Sequence, residues 1–271
     1  MALFETCKIG FMREKILGVK VDKINKEQAI DRITDWIKTS QRQKLVVTLY
    51  SEFVVKAQKD KEFLTVINEA DLVTADGVSV LAALEYKKNP SFLNGLRVGG
   101  RILNGKVGRT VTGVWLFGEL IEKAQKNNWK VYCLGGEGDV PELLEKKLCR
   151  DYPRLRFAIN RGEVEVGKDE VEQKAIVERI NRFKPDLLFV AYTAVYQYKW
   201  LARFKQALNV GVMMGVGGTF DEYVGRFPAA PVWMEKMGLK WLWRLKVEPS
   251  RWRRMWNAVV VFPWLVWRRE R

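Results

Sequence analysis

The residue best placed for acid–base chemistry is the carboxylate in Thr74-Ala75-Asp76-Gly77-Val78, where a strand-like run meets a helix-like one. A carboxylate at the C-terminal end of a parallel strand sits where ligands bind in open α/β sheets. The competing local reading is an Asp-Gly turn with Asp76 as a helix cap. The chain has no histidine, which excludes Ser-His-Asp and Cys-His catalysis and every His-ligated metal site. Acid–base work in an enzyme of this composition falls to carboxylates, Lys or Tyr.

Two glycine-rich junctions could serve a phosphate-bearing ligand. Cys133-Leu134-Gly135-Gly136-Glu137-Gly138-Asp139 reads as strand, loop and helix start, and Gly215-Val216-Gly217-Gly218-Thr219-Phe220-Asp221 reads as a second strand ending in glycines. Glycines there allow close backbone approach, and a helix start offers free N–H groups. A plain tight turn explains each one alone equally well, and neither matches the dinucleotide fingerprint or a P-loop. If they serve one ligand, Asp76, Gly135, Gly136 and Gly217 are expected to converge, with Asp76 within about 11 Å, two helical turns, of the Gly135-Gly136 loop. No Asp-X-Asp triplet occurs, so a metal-held diphosphate is disfavoured and arginines are expected to neutralise it.

Those arginines gather at one end. The net charge is +15, and residues 240–271 carry nine Lys and Arg against two Glu, net +7, with six of the eleven tryptophans. Basic residues interleaved with Trp and apolar residues describe an interfacial helix; the alternative is a charged face whose aromatics pack on the core. A helix capped by Ser250 is expected, with Trp252, Trp256, Val259 and Val260 near one stripe. The longest apolar run, Met255–Trp267, would reach about 20 Å as a helix, short of the ~30 Å bilayer core. The charge suits an anionic membrane surface, and no nucleic-acid motif accompanies it. Three cysteines without metal spacing and no evident signal peptide predict a cytoplasmic protein.

The elements that must position these groups alternate. Strands are expected at Ile16–Val21, Leu45–Leu49, Ala70–Thr74, Trp129–Leu134, Leu155–Ile159, Asp186–Tyr192 and Val210–Val216. Helices are expected at Asn25–Thr39, from Ser51 (as cap) through Ile67, and at Val78–Tyr86, Gly113–Asn127, Val140–Arg150 (capped by Asp139), Asp169–Phe183 and Val195–Leu208. Residues 88–110, with five glycines and no clear period, read as a long loop or hairpin. The β-α-β alternation predicts an open, mostly parallel Rossmann-like sheet of six or seven strands with helices on both faces. The expected organisation is an N-terminal extension (1–13), an α/β domain (14–231) and a basic, Trp-rich helical appendage (232–271).

Taken in order, these motifs resemble the WecG/TagA/CpsF family of glycosyltransferases. The resemblance rests on Thr48–Ala57, Ala70–Val78, Val111-Thr112-Gly113, Leu134-Gly135-Gly136, Pro185–Val190, Gln197 with Trp200, Gly215–Asp221, Gly238–Arg244 and Glu248–Arg254. It implies a metal-independent, inverting transfer of an N-acetylmannosamine-like sugar from a UDP-sugar to a polyprenyl-diphosphate-linked sugar, with no cofactor, at the inner face of the membrane. Such a step belongs to teichoic acid linkage-unit or other surface-polysaccharide synthesis. By position, the resemblance makes Asp76 the general base and places Thr48 and Gln197 in the pocket. Arg244, Arg251 and Arg254 would reach the diphosphate, and Gly135, Gly136, Gly217 and Gly218 would lie on the nucleotide side. Three segments depart from the family pattern: an asparagine becomes Tyr50, Thr193–Tyr198 keeps only Gln197 while bringing in Tyr196 and Tyr198, and an arginine becomes Ala229. The alternative these leave open is a catalytically impaired relative that binds sugar nucleotides or assembles with partners at the membrane. Oligomeric state is open, a homo-oligomer included.

Overall fold

The computed structural model describes residues 12–270 apart from 109, 163–168, 229, 232, 235, 236 and 238. Six strands form one all-parallel sheet: β3 (Lys44–Leu49), β4 (Leu72–Ala75), β5 (Lys130–Gly135), β6 (Arg156–Asn160), β7 (Leu187–Ala191) and β8 (Val212–Gly215), in the order β4-β3-β8-β7-β5-β6. Side chains alternate across it, as the period of two requires. Leu45, Val47 and Leu49 enter one core with α2 (Ser51–Ala57), α3 (Lys61–Asn68), α4 (Val78–Lys87), α8 (Glu170–Phe183) and α9 (Ala194–Phe204). Val46 enters the other with α1 (Lys26–Lys38), α6 (Gly113–Asn127), α7 (Val140–Asp151) and α10 (Thr219–Val224). Helices therefore cover both faces, and the fold is Rossmann-like.

Several local expectations are corrected. Ile16–Val21 is not one strand but a hairpin of β1 (Arg13–Ile16) and β2 (Val19–Asp22), turned by Leu17 and Gly18, both with positive φ, as a two-residue hairpin loop requires. Arg13 thus begins a strand; residues 1–11 lie outside the described residues. The long second helix is two, because Asp60 starts α3 afresh by accepting the Phe63 N–H (3.0 Å). Ser51 is the first helical residue rather than a cap, and neither Asp139 nor Ser250 caps through its side chain.

The largest correction is at residues 88–110, where α5 (Phe92–Leu103) is capped by Ser91, whose hydroxyl accepts the Asn94 N–H (3.2 Å). Only Val98 of this helix is buried. Phe92, Leu93, Leu96 and Leu103 face outward and only Ile102 joins Val98 on the inner side, so little inward-facing period marks it in the sequence.

The chain ends in helical segments: α11 (Lys240–Val247), a 3₁₀ turn (Pro249–Arg251), α12 (Trp252–Trp256), a π-turn (Asn257–Val261) and α13 (Phe262–Arg269). The wide turn precedes Pro263, which has no N–H to continue the ladder. Met255, Ala258, Phe262, Leu265 and Val266 are buried, the last three in the core shared with α2 and α4. Glu270 pairs with Lys87 (2.7 Å), and Arg269 donates to Gln58 (3.0 Å). Trp252, Trp256, Val259, Val260, Trp264 and Trp267 stay exposed on the other side. Among the described residues, no helix is long and apolar enough to cross a membrane.

Candidate active site

The connection after β3 crosses one face of the sheet and that after β8 crosses the other, although the two strands are neighbours. Diverging connections open a crevice at the strand C-termini. Thr48 and Tyr50 lie at the end of β3; Gly217, Gly218 and Thr219 follow β8. The β3–β4 register sets Leu49 beside Ala75, so Tyr50 and Asp76 leave the sheet together.

Asp76 is anchored from the far side of the sheet. Val111 N–H donates to the Ala75 carbonyl (3.0 Å) and Thr74 Oγ1 to the Val111 carbonyl (3.0 Å), which lays residues 111–113 along the end of β4. Thr112 caps α6 by accepting the Trp115 N–H (3.3 Å). Gly113, the first residue of that helix, donates its N–H to Asp76 Oδ2 (2.9 Å). The carboxylate therefore faces the positive end of a helix dipole. A Cβ on Gly113 would lie 3.3 Å from Thr48 Oγ1, 3.4 Å from Thr219 Oγ1 and 3.5 Å from Asp76 Oδ2. Three polar groups from three strand ends thus ring one point that a glycine keeps open.

Tyr50 closes one side, its ring within 3.6 Å of where a Gly77 side chain would begin. Burial first, then the neighbouring Asp76 charge and that of Glu52, push its phenol above the ordinary tyrosine value; Arg244 and Arg254 oppose this. That balance places Tyr50, Asp76, Arg244 and Arg254 in one electrostatic neighbourhood.

Gln197 and Tyr198 secure the β8 side. Gln197 is buried, and its Oε1 accepts the Gly217 N–H (2.9 Å). Tyr198 hydroxyl accepts the Thr48 N–H (3.4 Å) and donates to the Gly215 carbonyl (2.9 Å), tying β3 to β8. Burial raises its phenol pKa too. Tyr198 is therefore a core residue packed against Phe53, while Tyr196 packs on Tyr192. Gln197 holds the loop that carries Gly217.

The three tail arginines reach this same edge. Arg244 pairs with Glu222 of α10, Arg254 with Glu52 at the start of α2 (2.9 Å), and Arg251 with Glu248 (2.8 Å). Arg251 Nη2 would be 3.3 Å from a Cβ on Gly218. Glu52 is 1% exposed and also pairs with Lys56 (2.8 Å).

The glycine loop after β5 does not join the pocket around Asp76, contrary to expectation. Three strands, β3, β8 and β7, separate β4 from β5. At about 4.8 Å per step the two strand ends are roughly 19 Å apart, well beyond the expected limit of about 11 Å. Asp76 and Gly135-Gly136 lie at separate strand C-termini, with the ends of β3, β8 and β7 between them. Gly135 also has a packing reason of its own: φ is +93°, and a Cβ would meet the Ala191 carbonyl oxygen at 2.6 Å.

Sequence reasoning missed Gly113 and Thr219 as site residues, Glu52 as the anchor of Arg254, and two arginines at the glycine loop. Arg226 donates to the Glu137 carbonyl and pairs with Asp221 (both 3.3 Å), and Arg161 donates to the Gly138 carbonyl (3.3 Å). The usable signal was Thr112-Gly113, a capping residue followed by a glycine at a helix start. Ala229 lies outside the described residues.

Residues 14–93 and 94–271 match the Glycosyl transferase WecG/TagA/CpsF family. The chain is also similar to the N-acetylglucosaminyldiphosphoundecaprenol N-acetyl-beta-D-mannosaminyltransferases of Staphylococcus aureus strains NCTC 8325 / PS 47, COL and N315. Each is 28% identical over 257 residues, covering 94% of this chain and 92% of the relative. Because the match takes in both the strand ends that surround Asp76 and the arginine-bearing tail that meets them, the chain belongs to the WecG/TagA/CpsF family of glycosyltransferases.

Proposed function

We propose that this glycosyltransferase moves an N-acetylmannosamine-like sugar from a UDP-sugar to a polyprenyl-diphosphate-linked sugar at the inner face of the membrane, in teichoic acid linkage-unit or related surface-polysaccharide synthesis. The observation that carries this reading is the ring of Asp76, Thr48 and Thr219 around Gly113, with three arginines brought to the same edge. In the transfer, Asp76 takes the proton of the acceptor hydroxyl as its oxygen bonds to the anomeric carbon of the donor. The bond from that carbon to the diphosphate oxygen breaks on the opposite face, UDP leaves with the electron pair, and the configuration inverts. Arg244, Arg251 and Arg254 neutralise diphosphate charge without a metal, exchanging their glutamate partners for phosphate oxygens through the bidentate fork of the guanidinium. The row of strand C-termini from Asp76 past the Gly217-Gly218 loop to the Gly135-Gly136 loop suits an extended nucleotide-sugar, with Arg226 and Arg161 beside the distal glycines.

The exposed tryptophans of the tail support docking on an anionic membrane, where the lipid-borne acceptor resides.

Asp76→Asn tests the chemistry. The isostere keeps an oxygen for the Gly113 N–H, so the fold and UDP affinity should persist while turnover falls about 10²–10⁴-fold, the worth of a general base. UDP release from UDP-N-acetylmannosamine with a polyprenyl-diphosphate-N-acetylglucosamine analogue reads the effect. Full turnover in a folded Asp76→Asn protein would remove Asp76 from this role.

A further inference from the structure

Helix α5 exposes four of its apolar residues and fully buries only Val98. Phe92 is 72% exposed, Leu93 76%, Leu96 61% and Leu103 54%. At 100° per residue these four fall within one arc of about 100°, and Val98, the buried residue, lies on the opposite side. The arc that would ordinarily enter a core points away from the protein. A contiguous exposed apolar strip of this kind marks an interaction surface.

Two features identify what covers it. The first is charge. Residues 87–108 contain Lys87, Lys88, Arg97, Arg101 and Lys106 and no acidic residue. Lys88, Arg97 and Lys106 are exposed, so the apolar arc is rimmed by cations. The second is continuity. Helix α5 packs on α4, and α13 packs on α4 and α2. The exposed strip of α5 and the exposed Trp264 and Trp267 of α13 thus belong to helices supported by the same element, and Trp252 and Trp256 continue the exposed face of the tail. That element starts at Val78, with Gly77 as its N-cap residue directly after Asp76.

We infer that α5 is a second membrane-entering element. Its Phe92, Leu93, Leu96 and Leu103 insert at the interface of an anionic bilayer beside the tail tryptophans, giving a two-helix footing braced by α4. The inference deepens the proposed function, resting on its membrane docking. A single helix on a membrane leaves the protein free to roll about the helix axis. Two helices fix the tilt and hold the strand ends around Asp76 in a constant relation to the headgroups, where a lipid-borne diphosphate must be met.

The test uses the full chain in a Cys7→Ser/Cys149→Ser background. Cys133 remains; it is buried, and burial holds its thiol far above the ordinary value, so it does not compete for label. An environment-sensitive fluorophore is placed at Leu96→Cys or, separately, at Trp264→Cys, and phosphatidylcholine/phosphatidylglycerol vesicles are added. Blue-shifted emission and protection from an aqueous quencher at both positions is the expected result. A response at 264 without one at 96 overturns the role of α5 while leaving tail docking intact. No response at either position, with no co-sedimentation, overturns docking itself and this inference with it. A response at 96 that needs no vesicles and grows with protein concentration assigns the strip to a second copy of the chain, and also overturns the inference. Leu93→Gln/Leu96→Gln should weaken vesicle binding about tenfold or more while leaving turnover of a short-chain, water-soluble acceptor unchanged. Unchanged vesicle binding in that variant would equally reject the inference.

Discussion

Gly113 begins α6 with a φ outside the left-handed region, so alanine can adopt its backbone without strain. In helices Ala is favoured over Gly by roughly 0.5–1 kcal/mol, and less in a first turn. Against that, the new methyl would sit 3.3 Å from Thr48 Oγ1, close enough that the threonine must shift by a few tenths of an ångström. The two effects oppose each other, and Gly113→Ala should change stability by less than about 1 kcal/mol, a shift of no more than about 4 °C in Tm for a chain of this size. Activity should respond differently. The methyl occupies the point shared by Thr48, Thr219 and Asp76, which the proposed mechanism reserves for the acceptor hydroxyl. Displacing a reacting atom by about 1 Å costs on the order of 10²-fold, so turnover should fall by that factor or more. Calorimetry and UDP release on one preparation measure both. Wild-type turnover in Gly113→Ala would show that the acceptor does not occupy this space. Gly135→Ala is the internal contrast, because its Cβ would strike a backbone oxygen at 2.6 Å from a positive φ. It should lose stability first.

Asp71 gives a pH prediction. Burial works against its charge, but the Leu45 N–H (2.9 Å), Lys205 (3.2 Å) and Lys44 (3.3 Å) outweigh it and hold the carboxyl below the usual range. A depressed folded pKa contributes stability that is fully present above the unfolded value of about 3.9 and is lost as pH falls through the folded one. Asp71→Asn should therefore cost about 1–2 kcal/mol at neutral pH, and the gap to wild type in urea melts should close on acidification; a pH-independent gap would contradict it. Phe262→Ala should cost about 3–5 kcal/mol, since that ring is 1% exposed in the core. Serine at Trp256 and Trp264, both exposed, should change stability by no more than about 0.5 kcal/mol and yet weaken vesicle binding; the reverse pattern in denaturation and sedimentation would reassign the two faces of the tail. Replacing Arg244, Arg251 and Arg254 together by Lys should preserve vesicle binding and cut turnover, because lysine keeps the charge but not the bidentate fork. Equal turnover in the UDP-release assay would reduce these arginines to a charge requirement.

Elements that bury a face were legible in the sequence, because burial imposes the period. Helix Gly113–Asn127 has the bounds its pattern predicts, and the parallel sheet follows from the alternation of apolar runs. Composition alone removed histidine chemistry, and the tail announced itself by tryptophan and arginine crowding. Helix α5 was illegible for the same reason: it turns its apolar arc outward, and a reading tuned to inward faces finds little. The hairpin at Leu17-Gly18 was hidden because its strands are only four residues long and join through two residues.

Within the site, Asp76 could be singled out by its place after a strand, but its partners could not. Gly113 is 37 residues away, Thr219 far beyond that, and only the order β4-β3-β8 brings the three together. That same order separates Asp76 from Gly135, which local sequence had treated as equivalent to Gly217. Each strand ending carries its own turn chemistry in its own residues, whereas the neighbour of a strand is decided by which faces pack. Which chemistries were available was thus a property of the sequence; which groups share a pocket was decided by strand order, because distance across a sheet is counted in strands and not in residues.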